Sequence, residues 1–363
     1  MSVSPLLVPP RRHTTPQIRE IRCREEWNAI VTGVGGHVRQ SWEWGAFGGG
    51  PVHRLAIAAT GHAVAAIAMT ELSIPGFGFV VLEAPRGPVI GPRTPAVFSA
   101  LVETIRETAE RRQAVFVRLS PGVRAADAEF VEYLEDAGAV PLDSPSTPWN
   151  VPRVAMTVSI AGSETDVKRA MRDSTRLSLR KATSLGATIE RITDEAGGAR
   201  LHRLLAETVR RRARPVRGLR HFEALWQRCF IDGAGVAILA SYEGRDIAGV
   251  FGVRFGRTGY LLYSASDPDF RALRAGVAVH WDLIRWAREH GCDRMDWGDA
   301  VMSSPPTPRD VGDGVFDVQR SFGGDVTLLA PYFDIVLRPN VYRAFRLVER
   351  RAGWLAALAA RLN

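Results

Sequence analysis

Residues 55–59 (LAIAA), 60–62 (TGH) and 64–72 (VAAIAMTEL) read as a β-hairpin, two apolar runs joined by a Gly-containing turn. Residues 236–241 (VAILAS), 243–245 (EGR) and 247–255 (IAGVFGVRF) repeat the pattern about 180 positions later. Working outward, a third strand follows each hairpin, at 79–82 and 260–263. A helix comes next in each. In the first, Thr94-Pro95 supplies an N-cap and an N1 proline, and Phe98, Leu101, Val102, Ile105 and Ala109 recur at helical period. Its counterpart places Val277, Trp281, Ile284 and Ala287 on one face and stops at Gly291. Strands at 115–119 and 294–297 complete both series. Matching elements in one order, at a nearly constant offset, predict two diverged copies of one α+β unit.

The remaining segments extend this plan. A helix at about 125–137, ended by Gly138, leads to a strand near Val140, and the Pro-rich residues 144–152 read as a linker. A strand at 154–160 and one helix over 165–186 open the second copy. A strand at 328–333 closes it, and a long basic helix follows Pro339. The expected division is 1–150, with 1–15 disordered, then 151–338, then 339–363. A chain of 363 residues suits two domains.

Composition narrows the function classes. The chain is 46% apolar and 24% charged, ordinary for a globular protein. A formal charge of +8, mostly arginine, points to an anionic partner: nucleic acid, a phosphorylated substrate or an acidic lipid surface. Cys23, Cys229 and Cys292 are too few and too far apart for a disulfide framework or zinc site, and read as packing residues. Residues 1–10 have no signal-peptide pattern, and no window approaches the ~20 apolar residues of a membrane span. A cytoplasmic protein is expected. No GxSxG elbow, HExxH, Walker lysine loop or Cys/His metal cluster is present. The glycine runs at 33–36 and 48–50 join no strand to a helix and read as loops.

A mixed, twisted sheet with hairpins and a crossover helix suits the N-acetyltransferase type of α+β domain. In that fold, acyl-CoA enzymes place a pyrophosphate loop before the central helix. Residues 271–278 (RALRAGVA) occupy that place without the expected spacing, and 86–94 do not match either. A coenzyme A donor is disfavoured.

Several segments together resemble the FemA/FemB/FemX (FemABX) peptidyltransferase family and its BioF2-like acetyltransferase relatives. They are residues 40–47 (QSWEWGAF), 84–92 (APRGPVIGP) and 176–186 (RLSLRKATSLG), then 260–267 (YLLYSASD) with 296–298 (DWG), and 318–324 (VQRSFGG). Their order covers the chain from about residue 40 to 335. The resemblance implies tandem acetyltransferase-like (GNAT-type) domains, the second catalytic, with no cofactor or metal. It implies aminoacyl transfer from aminoacyl-tRNA to an amine of a phosphate-bearing muropeptide or glycan precursor. The enzyme would work in the cytoplasm, with peripheral contact at the anionic inner face of the membrane and no DNA partner. Acyl-CoA-dependent N-acyl transfer in polysaccharide or natural-product synthesis is the alternative. A non-catalytic RNA-binding or scaffold paralogue is another.

Candidate site residues follow. An activated ester needs only an amine held in line and a donor for the developing oxyanion. Arg176, Arg180 and Lys181 either grip a diphosphate from one helix face or form a solvated basic surface. Arg86 is a second anion contact or a loop residue. Trp42, Trp44, Tyr260, Tyr263 and Trp297 either line a groove or pack the core. Asp267 orients the acceptor amine or caps a turn; Asp299 is a further candidate of that kind. The family's Phe-Lys pair falls on Val318-Gln319 here. The lysine's implied role, stabilising transition-state charge, passes to the Gln319 amide or to Arg320, which strand alternation would aim at the opposite face. Arg210, Arg211, Arg212, Arg214, Arg217 and Arg220 cluster as a phosphate-binding or solvated loop. The last helix either packs on the second domain or rests on an anionic membrane.

Overall fold

The computed structural model describes residues 16–45, 50–59, 62–73, 78–91, 93–142, 153–192, 195–212, 227, 233–299 and 314–362. The expected disordered start, the linker at 144–152 and most of the arginine-rich loop lie outside these residues.

The first half runs β1 (Gln17–Glu20), α1 (Arg24–Gly33), a 3₁₀ turn (Val38–Gln40), α2 (Trp42–Gly45), β2 (Val52–Ala59), β3 (His62–Ser73), β4 (Val80–Arg86) and β5 (Val89–Ile90). It continues with α3 (Pro95–Arg111), β6 (Phe116–Pro121), α4 (Ala128–Asp136) and β7 (Val140–Leu142). Thr94 caps α3 as expected, its hydroxyl accepting from the Val97 amide. The second half runs β8 (Val154–Ser159), α5 (Glu164–Ala170), α6 (Asp173–Ser184), β9 (Thr188–Ile192), α7 (Glu195–Arg212), β10 (Gly235–Tyr242), β11 (Arg245–Phe255) and β12 (Thr258–Ser266). After a second 3₁₀ segment (Pro268–Leu273) come α8 (Ala275–Glu289), β13 (Arg294–Asp299), α9 (Gly314–Ser321), β14 (Asp325–Leu328), β15 (Tyr332–Val336) and α10 (Pro339–Leu362).

The duplication is real at the level of hydrogen bonds. Hairpin β2–β3 has one extra residue, Val64, opposite the step from Ile57 to Ala58; hairpin β10–β11 has Ile247 opposite the step from Ala240 to Ser241. The same bulge thus sits at the same place in both copies. Each hairpin is extended by a third strand and then, through a crossover helix, by a parallel fourth, β6 or β13.

The halves are joined by the last strand, β15. The first sheet is ordered β1-β2-β3-β4-β6-β15-β7, and the second β14-β8-β13-β12-β11-β10-β9. In each copy the crossover strand and the edge strand leave a slot between them. In the second half its own first strand, β8, fills the slot; in the first half it is filled by β15, which returns after the second sheet is complete. The expected boundary at 338 is corrected accordingly, because Tyr332–Val336 belongs to the first sheet. The single closing strand expected at 328–333 is in fact two, separated by Pro331, which has no amide to donate.

Two further expectations are corrected. The helix over 165–186 is broken at Met171, whose extended backbone (ψ 153°) buries its side chain in the second core. The last helix packs on the first half: Phe345 touches Phe116 and Phe79, with ring centroids 5.1 and 6.0 Å apart. Polar anchoring is stronger. Arg118 on β6 donates Nε and Nη2 to the two oxygens of Asp334 on β15, at 2.9 and 2.8 Å, and Nη1 to Glu349 on α10 at 2.6 Å. Tyr342 donates to Asp334 at 2.9 Å, and Arg346 pairs with Glu349. All three charges of this triad are buried. Opposing carboxylates hold the Arg118 guanidinium well above its usual range.

Arg118→Met would leave the buried Asp334 without a cation and Glu349 with Arg346 alone, at a cost of about 3–5 kcal/mol. Chemical denaturation should show that loss, and amide exchange should rise in β15 and α10 before the second sheet. Unchanged stability would mean the triad does not hold the returning strand and helix.

Candidate functional site

The two parallel strand pairs differ where it matters. In the first half, β4 and β6 pair at five positions, from Leu82↔Val117 to Arg86↔Pro121, so no gap opens along that stretch. In the second, β12 and β13 pair only at Thr258↔Arg294, Gly259↔Met295 and Tyr260↔Asp296. Beyond Tyr260, β12 runs six more residues bonded to β11 alone, with a bulge at Leu262. The side of β12 turned away from β11 therefore has no ladder partner among the described strands. Gly298 marks the parting point. Its φ is +79°, and a Cβ there would meet the Leu261 carbonyl oxygen at 2.5 Å.

The first half closes one side of this mouth. Its 3₁₀ turn is fixed by Gln40, which is fully buried. The Gln40 amide accepts from Ala68 N at 2.7 Å and donates to Pro85 O at 2.8 Å, bridging β3 and β4 where they do not pair. Next to it, the His37 ring lies edge-on to Tyr260, with centroids 4.7 Å apart, and its Nε2 is 3.6 Å from Asp296 Oδ2. The Arg39 amide donates to His37 Nδ1 at 3.0 Å, so Nε2 carries the proton of the neutral ring. Burial lowers the His37 pKa, opposed by Asp296. Asp296 Oδ1 accepts from the Gly298 amide at 2.8 Å, which ties the carboxylate to the end of the ladder. Burial raises the Tyr260 phenol well above its usual range.

The other side of the sheet holds an aromatic cluster. Trp297, His280 and Phe322 pack with centroids 5.3 to 6.3 Å apart. His280 Nδ1 lies 2.7 Å from Gly276 O, the i−4 carbonyl of its own helix; among the described residues, neither His280 Nε2 nor Trp297 Nε1 has a hydrogen-bond partner. Burial pushes the His280 pKa down to about 4.

The expected site residues divide between these surroundings. Tyr260 sits at the mouth, and Arg86 is buried near enough to His37 to act on its charge. Trp297 belongs to the core. The segment carrying Gln319 and Arg320 is helix, not strand, so the expected alternation does not apply. Gln319 is buried and donates to Trp297 O at 3.3 Å, while Arg320 is exposed and pairs with no described residue. Asp267 caps the second 3₁₀ segment, accepting from Asp269 N at 3.1 Å, and also pairs with Arg245 at 2.6 Å. Arg176 donates to Met171 O at 2.6 Å and Lys168 O at 3.2 Å, closing the end of α5 instead of facing outward. Arg180 and Lys181 are exposed without a described ion pair. Tyr263 stacks on Phe251, and Trp44 lies under the Arg39 guanidinium, 4.6 Å away. Asp299 contributes backbone pairing to Ala155; its side chain is outside the described set. Among the described residues, no group of three or more His, Cys, Asp or Glu is placed to hold a metal. Sequence reading missed His37 as a site residue, because its partners lie more than half the chain away.

Comparison with known proteins agrees with this geometry. The acetyltransferase (GNAT) domain family matches residues 169–303, the stretch that builds the open strand pair. A lipid II:glycine glycyltransferase of Staphylococcus epidermidis is 27% identical over 109 residues, a match spanning 30% of this chain and 26% of that protein. The crystal structure of FemX superposes with a TM-score of 0.82 at 17% identity, covering 91% of this chain and 100% of FemX. The fold is that of FemX, in agreement with the resemblance of the sequence segments to the FemABX family. Its tandem fold is also shared, at a TM-score of 0.55 and 14% identity, with the C-terminal domain of a putative lysylphosphatidylglycerol synthetase from Agrobacterium fabrum, over 91% of this chain and 96% of that one.

The neutral buried imidazole gives the protein an acid sensitivity. An unfolded histidine titrates near 6.5, whereas His280 resists protonation until about 4. Its contribution is intact above the unfolded value and falls as pH drops between the two, by about 3 kcal/mol in total. Denaturation at about pH 7 and about pH 4 should show wild type losing that much more than His280→Phe. Equal losses would assign the acid sensitivity elsewhere.

Proposed function

We propose that this protein transfers an aminoacyl group from aminoacyl-tRNA to a primary amine of a phosphate-bearing cell-wall precursor, at the mouth between β12 and β13. The observation that carries the reading is the ladder break after Tyr260 and Asp296, present in the second copy and absent from the paired stretch of the first. An acceptor peptide can lie along the open side of β12, where backbone groups supply main-chain hydrogen bonds and a donor for the oxyanion. The amine nitrogen attacks the ester carbonyl, and the carbonyl carbon to ribose oxygen bond breaks. Asp296 takes the proton that the nitrogen loses, and that proton ends on the leaving ribose oxygen. The neutral His37 Nε2–H orients the Asp296 carboxylate. Gln319 positions β13 through the Trp297 carbonyl, and the exposed Arg320, Arg180 and Lys181 attract phosphate. A glycyltransferase acting on lipid II among the relatives supports the acceptor class.

One feature favours a second donor. Helix α8 starts at Arg274, in left-handed conformation (φ 55°) and without a side-chain cap, beside exposed Arg271. Uncapped amides and flanking arginines suit a pyrophosphate, so acyl-CoA is the competing donor.

The test incubates purified protein with labelled aminoacyl-tRNA and a muropeptide precursor, in soluble and lipid-linked form. RNase-sensitive labelling of the acceptor is expected. Asp296→Asn keeps the bond to Gly298 yet removes the base, and should lower kcat about a hundredfold or more with little change in KM. Full activity of that variant would remove Asp296 from the mechanism. Transfer from acyl-CoA alone would overturn the donor.

A further inference from the structure

The last helix is packed with its polar side inward. The stripe of α10 facing the first half carries Tyr342, Arg346 and Glu349 beside one large apolar residue, Phe345. Its outward surface carries Val341, Leu347 and Val348, at 37, 61 and 46% exposure. A helix on a water-facing surface has the opposite distribution. Rotation cannot relieve it, because turning α10 would withdraw Glu349 from Arg118 at 2.6 Å and Tyr342 from Asp334 at 2.9 Å, breaking buried polar bonds. The aliphatic line is edged by exposed Arg338, Arg343, Arg350 and Arg351, none of which pairs with a described carboxylate. The remaining sequence of the helix, residues 352–362 (AGWLAALAARL), holds a single charge.

We propose that the outward face of α10 docks on an anionic lipid bilayer. Aliphatic side chains flanked by arginine fit the boundary between headgroups and acyl chains. There the hydrocarbon enters by about 5–10 Å, and guanidinium groups reach back to lipid phosphates. A nucleic acid would use the arginines but leave Leu347 and Val348 in water. The helix is not a membrane span; among the described residues no helix is long and apolar enough for that. Because α10 is fixed to β6 and β15, docking would set the orientation of the whole molecule on the surface. The inference does not depend on the transfer chemistry.

Sedimentation with vesicles tests it directly. The full chain should pellet with equimolar phosphatidylcholine and phosphatidylglycerol and stay in solution with phosphatidylcholine alone, and added salt should release it. The double substitution Leu347→Asp and Val348→Asp, at exposed positions, should abolish pelleting while leaving the melting temperature unchanged. Arg343→Gln and Arg350→Gln should each lower the partition coefficient roughly five-fold. No pelleting, or equal pelleting of wild type and the double variant, overturns the proposal. So does a concentration-dependent dimer that the double variant abolishes, since the face would then be a self-contact.

Discussion

The return of β15 into the first sheet is the constraint on which the rest of the molecule depends. That sheet is not continuous without a strand supplied after the second sheet is complete. Pairing β15 with both β6 and β7 draws the chain after the second copy back across the first. The halves cannot hinge freely, because separating them would break the ladder hydrogen bonds of β15 in the first sheet. The Arg118 triad adds a charge condition. Its cation lies on the first sheet, and its carboxylates lie on the returning strand and helix. A buried ion triad is weak evidence for net stability, but it penalises any arrangement that pulls one member away.

Fixing the halves allows one to complete the site of the other. The mouth between β12 and β13 is formed by the second sheet, yet one wall comes from a 3₁₀ turn near the start of the chain. Gln40 is the hinge pin of that wall, substituting its amide for strand pairing between β3 and β4. His37 then meets Tyr260 and Asp296 without any motif linking them in sequence. Duplication followed by divergence explains the division of labour. One parallel pair stayed closed along its length and carries the returning chain, while the other opened and can receive a substrate.

Many arginines turn out to serve the fold. Arg118, Arg176, Arg191 and Arg200 each bind carboxylates or helix-end carbonyls within the protein. Among the described residues, exposed cations without a described ion pair include those on α6, α9, the start of α8 and the outer face of α10.

The sequence by itself determined the local elements and their repetition. Apolar alternation in the two hairpins, the Thr94 cap, the glycines at 138 and 291 and the shared order of elements depend on neighbours within a few residues, and these were legible. The resemblance of the FemABX segments also lies in the linear chain. Only the tertiary structure decided which sheet each terminal strand joins, because the partner that selects the slot for 332–336, Arg118 beside Asp334, lies more than 200 residues away in sequence. It likewise decided that residues 314–321 are helix, that Asp267 is a cap, and that Arg176 closes a helix end. Each of those side chains has the chemistry of a ligand contact in sequence. What separates a ligand contact from a structural bond is which acceptor lies within about 3 Å, and that distance exists only after distant segments have packed.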